Sequence, residues 1–162
     1  MLARVLLALD DPALQQRGLG VMAGRDAVTS QFKGSRERLL SAAGRDNYDL
    51  VGAAATLLGG EHELIAAIRA LPDAPEVVAI ARRGQVEEEA RLLAAGCFSV
   101  LHEELTDPLL REALGAVLDR RRERLSAALA TRRSGARPSL SDVVSGSPIM
   151  AAFVSVVDRV AG

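Results

Sequence analysis

Short apolar runs alternate with amphipathic stretches along this chain, and the alternation predicts its elements. Val5 to Leu9 is continuously apolar, the mark of a strand buried on both faces. Asp11 and Pro12 follow as an N-cap and a first helical position, predicting a helix to about Gly24. Gly18 and Gly20 weaken that helix, each costing roughly 1 kcal/mol against alanine. Ala27 to Phe32 reads as a second strand. Ser35 then caps a helix running to Ala43, closed by Gly44. Tyr48 to Ala54 is a third strand. Glu63 to Leu71 is a helix with Leu64, Ile65, Ile68 and Leu71 on one stripe. Glu76 to Ala81 is a fourth strand. Val86, Ala90, Leu93 and Ala94 keep helical spacing until Gly96, and Cys97 to Leu101 is a fifth strand. Asp107 and Pro108 open a last helix.

Five strands alternating with five helices predict an α/β fold, a doubly wound parallel sheet with helices on both faces. The order of the strands is not readable from the pattern. The last helix is too long for such a domain, its pattern continuing to about Arg133. Leu110, Leu114, Leu118, Leu125 and Ala128 form an apolar seam flanked by Arg120, Arg122 and Arg124, with Arg121 on the seam itself. The seam is expected to pair two copies as an imperfect coiled coil, and the alternative for the arginines is a solvated face. Ser134 to Ser139, with Gly135 and Pro138, reads as a linker.

Composition narrows the function classes. The chain has 162 residues, 49% hydrophobic and 25% charged, with a net charge of -1, so nothing favours direct binding to nucleic acid or to an acidic membrane. Aromatic residues are only 2%, too few for base-stacking platforms. Cys97 is the single cysteine, which excludes an internal disulfide and a cysteine metal cluster. The apolar stretch near Met1 is too short to span a membrane and is cut by two aspartates, so a cytoplasmic location is expected. His62 and His102 show no metal-ligand spacing, and no G-x-S-x-G elbow is present. Glu87, Glu88 and Glu89 suit the first turn of a helix without any functional role.

The chemistry to weigh is the acidic pair Asp10 and Asp11. Open parallel sheets bind ligands at the carboxyl ends of their strands, where this pair falls. Two carboxylates there could hold magnesium, or Asp11 could simply cap a helix while Asp10 is solvated.

Leu6 to Pro12 (LLALDDP) resembles the first strand and acidic turn of response-regulator receiver domains. The similarity continues through Asp49-Leu50-Val51, Pro75 to Ile80, Gly84 and the run Leu93 to Phe98, covering residues 1–120. The resemblance implies a receiver, or flavodoxin-like, fold with an extended C-terminal helix. It also implies a phosphoryl-accepting aspartate at the end of the third strand, where this chain has Ala54. The hydroxyl expected at the end of the fourth strand is Ala81, the lysine after the fifth is Glu103, and the proline after that lysine is Glu104. The switch aromatic of the fifth strand is Val100. An alanine methyl is no nucleophile, and a carboxylate in place of the lysine would repel a phosphoryl dianion. The implied domain is a pseudo-receiver with no resident cofactor and at most vestigial magnesium at Asp10 and Asp11.

Residues 139–161 carry a second resemblance, to the opening of the central AAA+ ATPase domain of sigma-54-dependent activators. Ser147-Pro148-Ile149-Met150 and Asp158-Arg159-Val160-Ala161 carry it, while Ser145 stands where that family more often has glycine. No phosphate-binding G-x-x-x-x-G-K-[ST] loop is present, and Gly18, Gly20 and Gly24 do not follow a strand. The expected organisation is a receiver-like domain over 1–120, an extended helix and linker over 121–138, and a truncated ATPase start or a terminal amphipathic helix over 139–162.

Three functions remain open on this reading. The first is a homodimeric regulatory domain, not an enzyme, that controls a downstream ATPase domain in response to an unidentified partner or ligand. The second is a free-standing dimeric interaction module of two-component-like signalling. The third is a small enzyme built on Asp10 and Asp11, for which no second catalytic group stands out.

Overall fold

A computed structural model describes residues 2–59 and 62–135. Five strands run in parallel: β1 (Ala3–Ala8), β2 (Ala27–Gln31), β3 (Leu50–Ala54), β4 (Glu76–Ala81) and β5 (Ser99–His102). Their spatial order is β2-β1-β3-β4-β5, so β2 and β5 are the edges. The helices are α1 (Pro12–Met22), α2 (Arg36–Ala43), α3 (Ala55–Leu58), α4 (His62–Arg69), α5 (Val86–Ala94) and α6 (Asp107–Gly135). The single turn of α3 was not expected from the pattern. It springs directly from Ala54 and is closed by Gly59 in the left-handed conformation.

The chain divides into two compact units. The first runs from Met1 to Arg122, and the second begins at Glu123, where the described residues are helical to Gly135. Ser134 and Gly135, expected to begin a linker, instead continue α6, and the rest of that expected linker and the expected ATPase start over 139–162 lie outside the described residues.

Alternation along β1 separates the core into two layers. Leu6 and Ala8 face Leu39, Ala43, Leu58, Ile65, Ile68 and Leu92, which belong to α2, α3, α4 and α5. Val5 and Leu7 face Val21 and Met22 of α1 and Leu110, Leu114, Val117 and Leu118 of α6. The central strands β3 and β4 are buried along their whole length, as continuous apolar runs demand. Gly18 belongs to this packing: a Cβ there would stand 3.0 Å from Leu7 Cδ1. The glycine that lowers helix propensity lets α1 approach β1.

This packing corrects the expected dimer seam. Leu110, Leu114 and Leu118 are 1%, 0% and 4% exposed within the domain's own core, so they cannot also face a second copy. Of the four leucines expected to pair two chains, only Leu125 is exposed, and it belongs to the second unit with the exposed Leu129. The apolar period is real, but its first half is satisfied by the sheet.

Polar clamps close the remaining gaps. Arg121, expected on the seam, is 8% exposed. Its Nε donates to Asp49 Oδ1 at 2.9 Å, its Nη1 to the Ala74 carbonyl at 2.6 Å, and its Nη2 to the Asp73 carbonyl. Asp49 Oδ2 also accepts from the Arg4 N–H at 2.9 Å. Ala74 has a positive φ of 41°, and the guanidinium holds that turn. On α1, Gln15 is buried with its amide satisfied: Oε1 accepts from Leu9 N at 2.9 Å and Nε2 donates to the Leu7 carbonyl at 3.1 Å.

Candidate functional site

The carboxyl ends of four strands converge on a cleft of about 250 Å³. The turn after β1 contributes Asp10 and Asp11, the β3–α3 junction Ala54, Ala55 and Thr56, the end of β4 Ala81 and Arg82, and the turn after β5 Glu103. The structure thus brings Asp10, Asp11, Ala54, Ala81 and Glu103 together. Val100 is not part of the lining; it is half-buried on β5 and packs against the α2–α5 layer.

Each acidic group already has a partner. Asp11 Oδ1 accepts from the Ala13 N–H at 2.8 Å, so it is the N-cap of α1. Asp10 Oδ2 accepts from the Thr56 hydroxyl. Glu103 Oε1 accepts from Arg82 Nε at 2.9 Å. Glu104 Oε1 accepts from the Arg83 N–H at 3.2 Å. The Glu104 carboxyl is held below the usual range, first by its own backbone N–H and then by that of Arg83. Arg17 of α1 fastens the β5–α6 loop, donating to the Glu103 and Leu105 carbonyls and to Asp107.

The floor of the cleft is apolar. Leu9, Ala54 and Ile80 form a small buried cluster with Leu14 and Leu57 against it. The Ala54 methyl in this floor is 8% exposed, and the nearby Ala81 is 3% exposed. Such a floor offers no nucleophile and no hydroxyl to a phosphoryl oxygen.

Asp10 and Asp11 are the carboxylates that would hold a magnesium ion here, with no third acidic side chain at the floor among the described residues. Magnesium keeps several waters and takes one or two carboxylates from the protein. Here one aspartate caps a helix, the other is engaged by Thr56, and the floor adds a methyl group. Among the described residues no group of three or more histidine, cysteine, aspartate or glutamate side chains gathers to hold a metal.

Sequence reasoning missed Thr56, Arg82 and Arg17. Thr56 was legible in principle, lying two residues beyond the position of Ala54. The pairing of Arg82 with Glu103 joins the ends of two strands 21 residues apart, and no periodicity signals it. The two histidines stay apart from the cleft chemistry. His62 is exposed at the start of α4, and His102 Nδ1 lies 3.7 Å from Glu89 on α5. Cys97 is buried, and desolvation pushes its thiol up to about 11, with nearby Arg69 partly opposing the shift.

No protein-family model matches the chain, and no curated protein sequence matches it significantly. Solved structures do. The signal receiver domain of a protein described as a Luxo repressor from Vibrio parahaemolyticus superposes with a TM-score of 0.68 at 15% identity, over 78% of this chain and 98% of that one. The receiver domain of a sensor histidine kinase from Pseudomonas aeruginosa, which holds magnesium in its active-site cleft, gives 0.62 at 17% identity over 74% and 99%. NtrX from Brucella abortus, solved with ADP, gives 0.73 at 19% identity over 99% of this chain but only 36% of that one. At these identities the likeness speaks to architecture. The chain folds as a receiver-type domain: a five-stranded, doubly wound parallel sheet with a long C-terminal helix.

Proposed function

We propose that this chain is a regulatory domain of two-component type that works without phosphorylation and catalyses no reaction. The observation that carries the reading is the cleft floor. A receiver-type fold presents Ala54 and Ala81 where the chemistry needs a carboxylate and a hydroxyl. Glu103 stands in the lysine position and is tied to Arg82, so the cleft gains no free ammonium there. Signalling by such a domain rests on differential affinity of a partner or ligand for two states, not on a covalent switch.

The regulated element is a downstream ATPase domain of the sigma-54-activator kind. The resemblance of residues 139–161 supports this, as does the NtrX similarity, which extends over 99% of this chain. The second unit is the place for self-association into a homodimer, since Leu125 and Leu129 are exposed there. A cytoplasmic domain is the reading that the receiver-type fold supports. The free-standing dimeric module is the second reading, supported by the same two leucines alone.

The test is the mass of the purified chain after incubation with acetyl phosphate and magnesium, and separately with beryllium fluoride. No adduct is the expected result. A stoichiometric, magnesium-dependent adduct would sink the reading.

A further inference from the structure

A second cavity, of about 580 Å³, runs along α2 beside the β2 edge of the sheet, away from the Ala54 floor. Its lining includes Lys33 from the β2–α2 loop, Arg38 and Arg45 from α2 and its C-terminal turn, and Asp46, with Phe32 and Tyr48 as walls. Arg38 lies in α2 and Arg45 just beyond its C-terminus, and both line the same groove.

Three features separate this groove from an ordinary solvated face. First, its charge is one-sided: three cations and one carboxylate, in a chain of net charge -1. Second, none of the Lys33, Arg38 and Arg45 side chains forms an ion pair among the described residues, whereas Arg17, Arg82, Arg91, Arg121 and Arg122 each do. The one carboxylate, Asp46, instead accepts from the Tyr48 hydroxyl at 3.3 Å. Third, the walls contain two of the chain's four aromatic residues. Convergent, unneutralised cations in a concave site focus positive potential and attract compact anions. Guanidinium forks match phosphate oxygens two at a time. The volume falls in the range of small-molecule sites.

We propose that this groove binds a small molecule bearing a diphosphate group, held by Arg38 and Arg45 with Lys33 closing one end. The site is independent of the receiver-type cleft and needs no phosphoryl transfer. It would give a domain with an inert cleft a chemical input.

Tyr48 makes the test direct, because it is the only tyrosine in a chain without tryptophan. The full chain is titrated with inorganic pyrophosphate, without magnesium, while tyrosine fluorescence is recorded. ADP is titrated in parallel by calorimetry. A saturable fluorescence change is expected, weakened by salt and at least about tenfold weaker in Arg38→Gln/Arg45→Gln, whose exposed positions leave the circular dichroism unchanged. ADP binding more tightly than pyrophosphate identifies an esterified diphosphate as the ligand class. Equal affinities identify the diphosphate group alone, and either result supports the site. No saturable change, equal affinity for sulfate, undiminished binding by the folded double variant, or tighter binding of a polyglutamate peptide would each overturn the proposal.

Discussion

An aspartate stands at each end of this sheet, and the two are used in opposite ways. At the amino end, Asp49 accepts from the Arg4 N–H and from the buried Arg121, which also holds the carbonyls of Asp73 and Ala74. At the carboxyl end, exposed Asp10 accepts from the Thr56 hydroxyl, beside a floor of Leu9, Ala54 and Ile80. The first aspartate is structural cement between α6 and the sheet. The second sits beside an apolar floor in a cleft at the strand ends. In this chain the scaffold and the chemistry are therefore separable, because packing and the clamp at the base do not depend on what lines the cleft.

Several substitutions would break or sharpen that contrast. The largest effect is expected next to the base clamp: Leu114→Ala should cost about 2–5 kcal/mol of stability by urea denaturation, because a fully buried side chain leaves a cavity. Its oligomeric state by light scattering should not change, since Leu114 faces the sheet. Arg121→Ala should cost about 3 kcal/mol by the same measurement, since it strips the partner from Asp49 and from two carbonyls. A loss under about 0.5 kcal/mol would show that the clamp is dispensable.

At the cleft, the triple substitution Ala54→Asp, Ala81→Thr and Glu103→Lys should yield a magnesium-dependent acetyl-phosphate adduct that the unaltered chain lacks. Breaking the exposed Arg82–Glu103 pair should itself cost at most about 1 kcal/mol. If the triple variant folds and forms no adduct, the cleft is more altered than its residue types imply.

Cys97 gives a pH signature. Its thiol is raised in the folded state from 9.0 to about 11, so its contribution is present below pH 9 and is lost as pH rises through about 11. The slope of stability across that window should flatten in Cys97→Ala. The smallest effect is expected from Leu125→Ala in the second unit, within about 0.5 kcal/mol of the unaltered stability. Loss of a dimer in that variant, with stability unchanged, would locate self-association there.

Much of this was legible before any coordinates. β4 spans the expected residues, Glu76 to Ala81, and Asp11 and Pro12 open α1 as cap and first position. Boundaries slipped where an apolar residue flanks a strand without joining it. Leu9 follows β1, and Tyr48 precedes β3 as a buried side chain outside the ladder. The last helix misled for a physical reason. An apolar period of three and four positions states that a face is buried, but not what buries it. Leu110, Leu114 and Leu118 carry the same periodic signal as Leu125, yet the sheet covers only the first three.

Local pattern and residue identity by themselves determined the succession of strands and helices, the parallel doubly wound class and the alanine at the end of β3. Each is written in neighbouring residues or in a single side chain. Only the tertiary structure decided the strand order, the division of α6 between core and exposed faces, the Asp49–Arg121 clamp and the pairing of Arg82 with Glu103. The last two join residues 72 and 21 positions apart, and such contacts exist only after the crossovers have brought the strand ends together.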